Sequence, residues 1–155
     1  MSQIDYELYK LLPFLLPIII VATICGAIIG YDREIKQKSA GLRTNILICV
    51  GCALFTGYSF FIQDTLSTID PTRIIGQIIT GIGFLGAGAI LRIDDRISGV
   101  TTAAFIWVVS AIGVLVGMGA ILTPIIISIG LIIISRFFER VEQFIKNKHK
   151  KENED

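Results

Sequence analysis

The stretch "ISGVTTAAFIWVVSAIGVLVGMGAILTPIIISIGLIIIS", residues 97–135, runs for 39 residues without an aspartate, glutamate, lysine or arginine. A helix needs about 20 apolar residues to cross a bilayer, so this stretch can hold two spans. The chain of 155 residues is 53% hydrophobic and 17% charged, with a mean hydropathy of +0.73. A soluble domain of this size would carry more polar residues. The sequence therefore predicts an integral membrane protein.

The whole sequence predicts an all-α polytopic membrane protein with about five spans, near residues 11–31, 45–62, 74–91, 101–118 and 121–138. The first span is interpreted as a retained helix, because the N-terminus carries Asp5 and Glu7 against Lys10, whereas a signal peptide starts basic. Residues 1–138 form the predicted transmembrane domain and residues 139–155 a short charged cytoplasmic tail. The start of the tail fits an interfacial helix and a solvated helix end equally well.

Lysine and arginine residues predict the orientation, since they concentrate on the cytoplasmic side of a membrane protein. With five spans, twelve of them flank one face and two flank the other. This places the N-terminus outside and the C-terminus in the cytoplasm of a bacterial inner-membrane protein. A four-span alternative would divide the charges almost evenly and is disfavoured.

The stretch "GIGFLGAGAI", residues 81–90, matches the G-x-G-x-x-G pattern of dinucleotide-binding loops. That reading requires a strand before the glycines and an acidic residue about 20 positions later, and residue 108 is an uncharged valine inside a span. In a membrane helix, glycines allow close approach of neighbouring helices. We therefore expect the third span to be central, with close neighbours on two faces. One of these neighbouring helices should supply a hydrogen-bond partner for the polar Gln77.

Two segments of the chain resemble each other. "GAIIGYDRE" (26–34) aligns with "GAILRIDDR" (88–96) at an offset of 62, and "SAGLRT" (39–44) aligns with "ISGVTT" (97–102) at an offset of 58. These matches predict two parallel helical-hairpin repeats plus one extra helix. Asp32 and Asp94 would then occupy equivalent places at one membrane face, with Thr44 and Thr102 at the starts of the returning helices. Chance similarity in a glycine-rich chain is the alternative.

Three motifs, "AGLRTNILICVG", "GIGFLGAGAI" and "GVTTAAFIWVVSAIG", resemble the MgtC/SapB family of bacterial inner-membrane proteins over residues 26 to 118. The resemblance implies a link to growth under magnesium limitation and, in pathogens, to survival inside host cells. It also implies a regulatory action on other membrane proteins, including the ATP synthase. Where many members have Gly-x-Glu-Arg, this chain has "GYDR", and Val108 stands where some members carry cysteine. The resemblance further implies that the ACT-like soluble domain of longer members is replaced here by the short tail.

The leading hypothesis is a regulatory membrane protein that binds partners in the bilayer, and the alternative is a transporter or channel for magnesium or another divalent cation. The acids cluster at the predicted cytoplasmic ends, as an ion-paired cluster or as a metal site that senses Mg²⁺, and the candidate ligands are Asp32, Glu34, Asp94 and Asp95. The residues predicted to serve function or packing are Arg33, Arg43, Thr44, Asn45, Gln77, Gly81, Gly83, Gly86, Gly88, Thr101, Thr102 and Trp107.

The remaining predictions concern chemistry and partners. Cys25, Cys49 and Cys52 are interpreted as small packing residues and not as a metal or redox site, because no second pair of ligands accompanies the C-x-x-C. The sequence offers no pairing of a nucleophile with a base, so we expect no enzyme, no catalytic residue and no cofactor apart from an unproven Mg²⁺. Expected partners are the lipid bilayer and a membrane protein, with ATP synthase as the candidate. A homodimer is permitted, and no nucleic acid is expected.

Overall fold

A computed structural model describes residues 3–65, 70–93 and 96–152. In chain order its elements are α1 (Gln3–Ile35), α2 (Leu42–Thr65), α3 (Pro71–Gly88), β1 (Leu91–Ile93), β2 (Arg96–Ser98), α4 (Val100–Gly117) and α5 (Leu122–Glu152). The two strands pair antiparallel, with Leu91 opposite Ser98. The all-α prediction is confirmed, and this two-stranded hairpin is the one sheet among the described residues.

Four of the helices in the described part of the chain, α1, α2, α4 and α5, are long and apolar enough to cross a membrane. Helix α3 has 18 residues, as α4 does, but it contains Arg73, Gln77 and five glycines, which make it less apolar. It still runs beside α2 and α4 and completes the predicted set of five helices. Its N-terminus is capped by Asp70, whose carboxylate accepts hydrogen bonds from the backbone N–H and the hydroxyl of Thr72.

Helices α2 and α4 together form the centre of the bundle: α4 contacts all four other helices, and α2 packs against α1, α3 and α4. Glycines allow two of these contacts to be very close. A Cβ at Gly30 of α1 would lie 2.8 Å from the Leu42 Cα, and one at Gly117 of α4 would lie 2.6 Å from the Ala53 carbonyl oxygen. The core around these two helices is apolar and includes Cys25, Cys49 and Val109.

The prediction that the third helix is central was therefore wrong. Helix α3 lies at the edge of the bundle, with only Pro71, Ile82 and Gly86 buried. A Cβ added at Gly76, Gly81, Gly83 or Gly88 would meet no atom within 4 Å. The glycines of α1 (Gly26, Gly30) and of α4 (Gly113, Gly117) are spaced four residues apart, which favours close helix packing, whereas no two glycines of α3 have this spacing.

The helical hairpins that the internal repeat predicts are both present. Helices α2 and α4 each begin directly after one of the aligned glycines, Gly41 and Gly99. The first halves differ, because α1 remains helical through Ile35 whereas α3 ends at Gly88, the position aligned with Gly26. The predicted third span, which extended to residue 91, was too long at this end. The alternation of apolar and polar residues from Leu91 onward instead favours a strand.

The loop after α1 and the C-terminal part of α5 lie at the same end of the bundle, because Asp32 of α1 contacts Arg136 of α5. The start of α4 is also there, since the Phe105 ring covers Arg33. We call this the basic end, because most lysines and arginines of the chain belong to the segments that meet there. Helix α5 continues to Glu152, so no break separates the last span from the charged tail.

Candidate functional site

Five charged residues from the end of α1, the turn after it and α5 meet at the basic end, and we name them the α1–α5 charge cluster: Asp32, Arg33, Lys36, Arg136 and Glu139. The Asp32 side chain is only 2% exposed. Its Oδ1 accepts a hydrogen bond of 2.8 Å from the Arg136 Nε. Lys36 Nζ lies 2.8 Å from Asp32 Oδ2 and 2.6 Å from Glu139 Oε2. These last two contacts are ion pairs by distance, without the geometry of hydrogen bonds.

Arg33 is the most deeply buried cation of the cluster, with 1% of its surface exposed. Its guanidinium carbon lies 4.2 Å from the centroid of the Phe105 ring, a cation–π contact. None of its three nitrogens hydrogen-bonds to a residue that the structure describes. The carboxylates of Asp32 and Glu139 act on it through electrostatic attraction only. The cluster therefore holds three cations against two carboxylates.

The predicted ligands Asp32 and Glu34 do not converge. Asp32 faces α5, whereas Glu34 is exposed and accepts a 2.8 Å hydrogen bond from the Leu42 N–H at the start of α2. Over the described ranges, no group of three or more histidine, cysteine or acidic residues is arranged to hold a metal ion. Asp94 and Asp95 lie outside the described residues, so their share of the predicted metal site stays a prediction.

The "AGLRTN" motif separates into exposed and buried positions. Arg43 and Thr44 are exposed, whereas Asn45 is fully buried. The Asn45 side-chain amide donates hydrogen bonds to the carbonyl oxygens of Ala40 and Gly41, at 2.9 and 2.7 Å. Asn45 therefore closes the connection between α1 and α2, which explains a polar residue at a tightly packed position.

On α3, Gln77 and four of the five glycines are exposed. Gln77, Gly81, Phe84 and Gly88 share one helical face, which we call the α3 outer face, and all four are exposed. Gln77 has no hydrogen-bonding partner within the described part of the chain, contrary to the prediction that a neighbouring helix satisfies it. Gln77 and Gly81 also line an open, mostly apolar groove of about 510 Å³ between α2 and α3. Gly83 is exposed beside this face, and Gly86 alone among the predicted glycines packs inward, toward Ala103.

The motif on α4 contributes mainly to packing. Thr102 is buried, whereas Thr101 and Trp107 are exposed, Trp107 by 53%. The pairing of Thr44 with Thr102 in the repeat therefore does not place the two side chains in similar surroundings. Toward the end of the helix, Gly113 and Gly117 lie directly against the α2 backbone.

Sequence reasoning missed Lys36, Arg136 and Glu139 as members of the cluster. A weak local signal existed for Lys36, which lies four residues after Asp32 and so on the same helical face. The contact between Asp32 and Arg136 spans 104 positions of the chain. Nothing in a single sequence indicates which of six C-terminal basic residues makes that contact.

Together these features define a multi-pass helical membrane protein whose first and last described helices are joined at the basic end by a partly buried charge cluster. Comparison with known proteins gives the family: the MgtC family model matches residues 19–144. The chain belongs to the MgtC family and is a multi-pass protein of the bacterial inner membrane.

Two relatives illustrate the similarity. The chain is 41% identical over 143 residues to YhiD of Escherichia coli (strain K12), and the aligned region covers 88% of this chain and 65% of the relative. The name of that relative describes a candidate magnesium transporter. It is 40% identical over 141 residues to "Protein MgtC" of Salmonella typhimurium (strain LT2), covering 88% of this chain and 59% of the relative. The chain thus spans less than two thirds of the length of these relatives. No solved structure matches it.

Proposed function

We propose that this protein is a magnesium-linked regulatory membrane protein that acts by binding other membrane proteins within the bilayer. The magnesium link rests on the family and on the name of the Escherichia coli relative. The candidate partner is the ATP synthase, which the family resemblance implies. The observation that carries the partner-binding proposal is the α3 outer face.

The α3 outer face has the features of an unoccupied helix-packing surface. Phe84 is 80% exposed there, and the glycines beside it have open space around them. An unpaired carboxamide such as that of Gln77 is costly in hydrocarbon unless another polar group meets it. A transmembrane helix of another protein would supply both the packing atoms and the hydrogen bond.

A magnesium transporter or channel is the alternative function. Magnesium is bound by oxygen ligands, usually one or two carboxylates with waters, and ion paths across membranes are marked by ionisable residues. In the described spans, the buried charges Asp32 and Arg33 lie at the basic end, while the buried polar side chains of the core, such as Ser110, are uncharged. This distribution favours regulation over transport. The buried charges of the described spans also form no pair of a nucleophile with a base, and we propose a non-enzymatic role.

The partner proposal is tested by placing a photo-crosslinking benzophenone amino acid at position 84, where an aromatic side chain already stands. We expect crosslinks to a subunit of the ATP synthase in native membranes. The matched control is Ile126 of α5, which is 67% exposed on another helix and should give no such product. Equal yields at both positions, or none at position 84, would contradict the proposal. Magnesium flux into liposomes that depends on Asp32 would favour the transporter instead.

We also propose that the basic end faces the cytoplasm, as the positive-inside rule predicts. The exposed residues Lys38 and Met118 lie at opposite ends of the bundle, and each can be replaced by cysteine. A membrane-impermeant maleimide should label Met118→Cys in intact cells, whereas Lys38→Cys should react only after the membrane is permeabilised. The native cysteines are buried and provide a low background. The reverse labelling pattern would show the opposite orientation.

A further inference from the structure

The charge cluster leaves one of its cations open to the surroundings. Arg136 is 56% exposed, and only its Nε hydrogen-bonds to Asp32. Within the described ranges, the structure gives neither terminal nitrogen of this guanidinium a hydrogen-bond partner. A guanidinium held at Nε presents its two terminal nitrogens in a fixed orientation, which suits the oxygens of a phosphate group.

The cluster also carries an excess of positive charge. Asp32 and Glu139 are shared among Arg33, Lys36 and Arg136. Buried charges are stable only when opposite charges and hydrogen bonds compensate them. The fully buried Arg33 cannot reach an external ligand, but its field adds to that of Arg136. An anion bound at Arg136 would neutralise the one positive charge by which the cations of the cluster exceed its carboxylates.

The neighbours of Arg136 indicate the source of this anion. Ile133 and Phe137 of the same helix are 63% and 60% exposed, so a molecule bound at Arg136 would also touch apolar surface. A phospholipid has a phosphate at the membrane surface and acyl chains beside it, whereas a soluble phosphate ester has only the former. We propose that Arg136, oriented by Asp32, binds the phosphate of an anionic phospholipid at the basic end of α1 and α5.

The test uses the full chain in detergent, with phosphatidylglycerol titrated in and binding followed by native mass spectrometry. Arg136→Lys keeps the charge but loses the paired terminal nitrogens, and we expect affinity to fall about tenfold, the effect of losing one charge-assisted hydrogen bond. Arg140→Lys is the matched control, because Arg140 is exposed on the same helix without any contact to Asp32. Its affinity should equal that of the wild type.

General attraction between a basic surface and anionic lipid predicts no difference between these two variants, so equal affinities would overturn the proposal. Competition by inorganic phosphate at concentrations similar to those of the lipid would also overturn it, by assigning the site to a soluble anion. Should Arg136→Lys fold poorly by circular dichroism, the charge can be moved along the helix with Arg136→Gln and Gln143→Arg. That variant keeps the net charge and should still bind the lipid about tenfold more weakly.

Discussion

Replacing Gly113 with alanine is expected to lower the free energy of unfolding by about 2–3 kcal/mol, as overpacking of a close contact does. A Cβ at this position would overlap the carbonyl oxygen of Cys49 and lie 2.9 Å from the Cys52 Cβ. The overlapping atom belongs to the α2 backbone, so no side-chain rotation relieves the clash and the two helices must separate. Thermal unfolding of the purified protein in detergent measures this effect.

The matched control is Gly83→Ala, which makes the same chemical change on the exposed side of α3. No atom lies within 4 Å of the added methyl group, and alanine favours a helix over glycine by roughly 0.8–1 kcal/mol. We therefore expect unchanged or slightly higher stability. Similar losses in both variants would contradict the arrangement in which α4 packs closely against α2 and α3 is peripheral.

This contrast shows what the sequence could predict and what it could not. The apolar runs that form α1, α2, α4 and α5 are long enough to span a bilayer, so the presence of these four helices follows from composition. Composition does not show which faces of these helices pack against each other. Gly113 forms a G-x-x-x-G pair with Gly117, which favours close packing, but only the three-dimensional arrangement shows that it lies against the Cys49 carbonyl and that Gly83 has free space.

The candidate site was predictable only in its local part. Asp32 stands out because a carboxylate directly after a long apolar run is costly unless it is paired. Its partner Arg136 is remote in the chain, and Arg136 and Arg140 lie one turn apart on the same face of α5, so the choice between them depends on the position of α5 along its axis relative to α1. The hairpin that follows α3 has only a short alternation of apolar and polar residues as its signal, because each of its strands has three residues.

Replacing Asp32 with asparagine is expected to destabilise the protein by about 3 kcal/mol. The side chain is 2% exposed, and removing one partner of a buried ion pair typically costs about 3–5 kcal/mol. The lower end applies because Arg136 is partly exposed and its interaction is screened by water. Asparagine has nearly the same shape and can still accept the hydrogen bond from Arg136, so the loss reports the charge itself. A fall in the midpoint of thermal unfolding measures it.

The matched control is Glu34→Gln, which removes a negative charge from the same helix two residues away. Glu34 is exposed and its hydrogen bond to the Leu42 N–H can be kept by a glutamine, so a smaller loss is expected. Combining Asp32→Asn with Arg136→Gln should restore part of the lost stability, because the second change removes a cation that the first leaves uncompensated. Additive losses in the double variant would mean that the two side chains are not energetically coupled. The α1–α5 charge cluster would then not be what holds the last helix against the first.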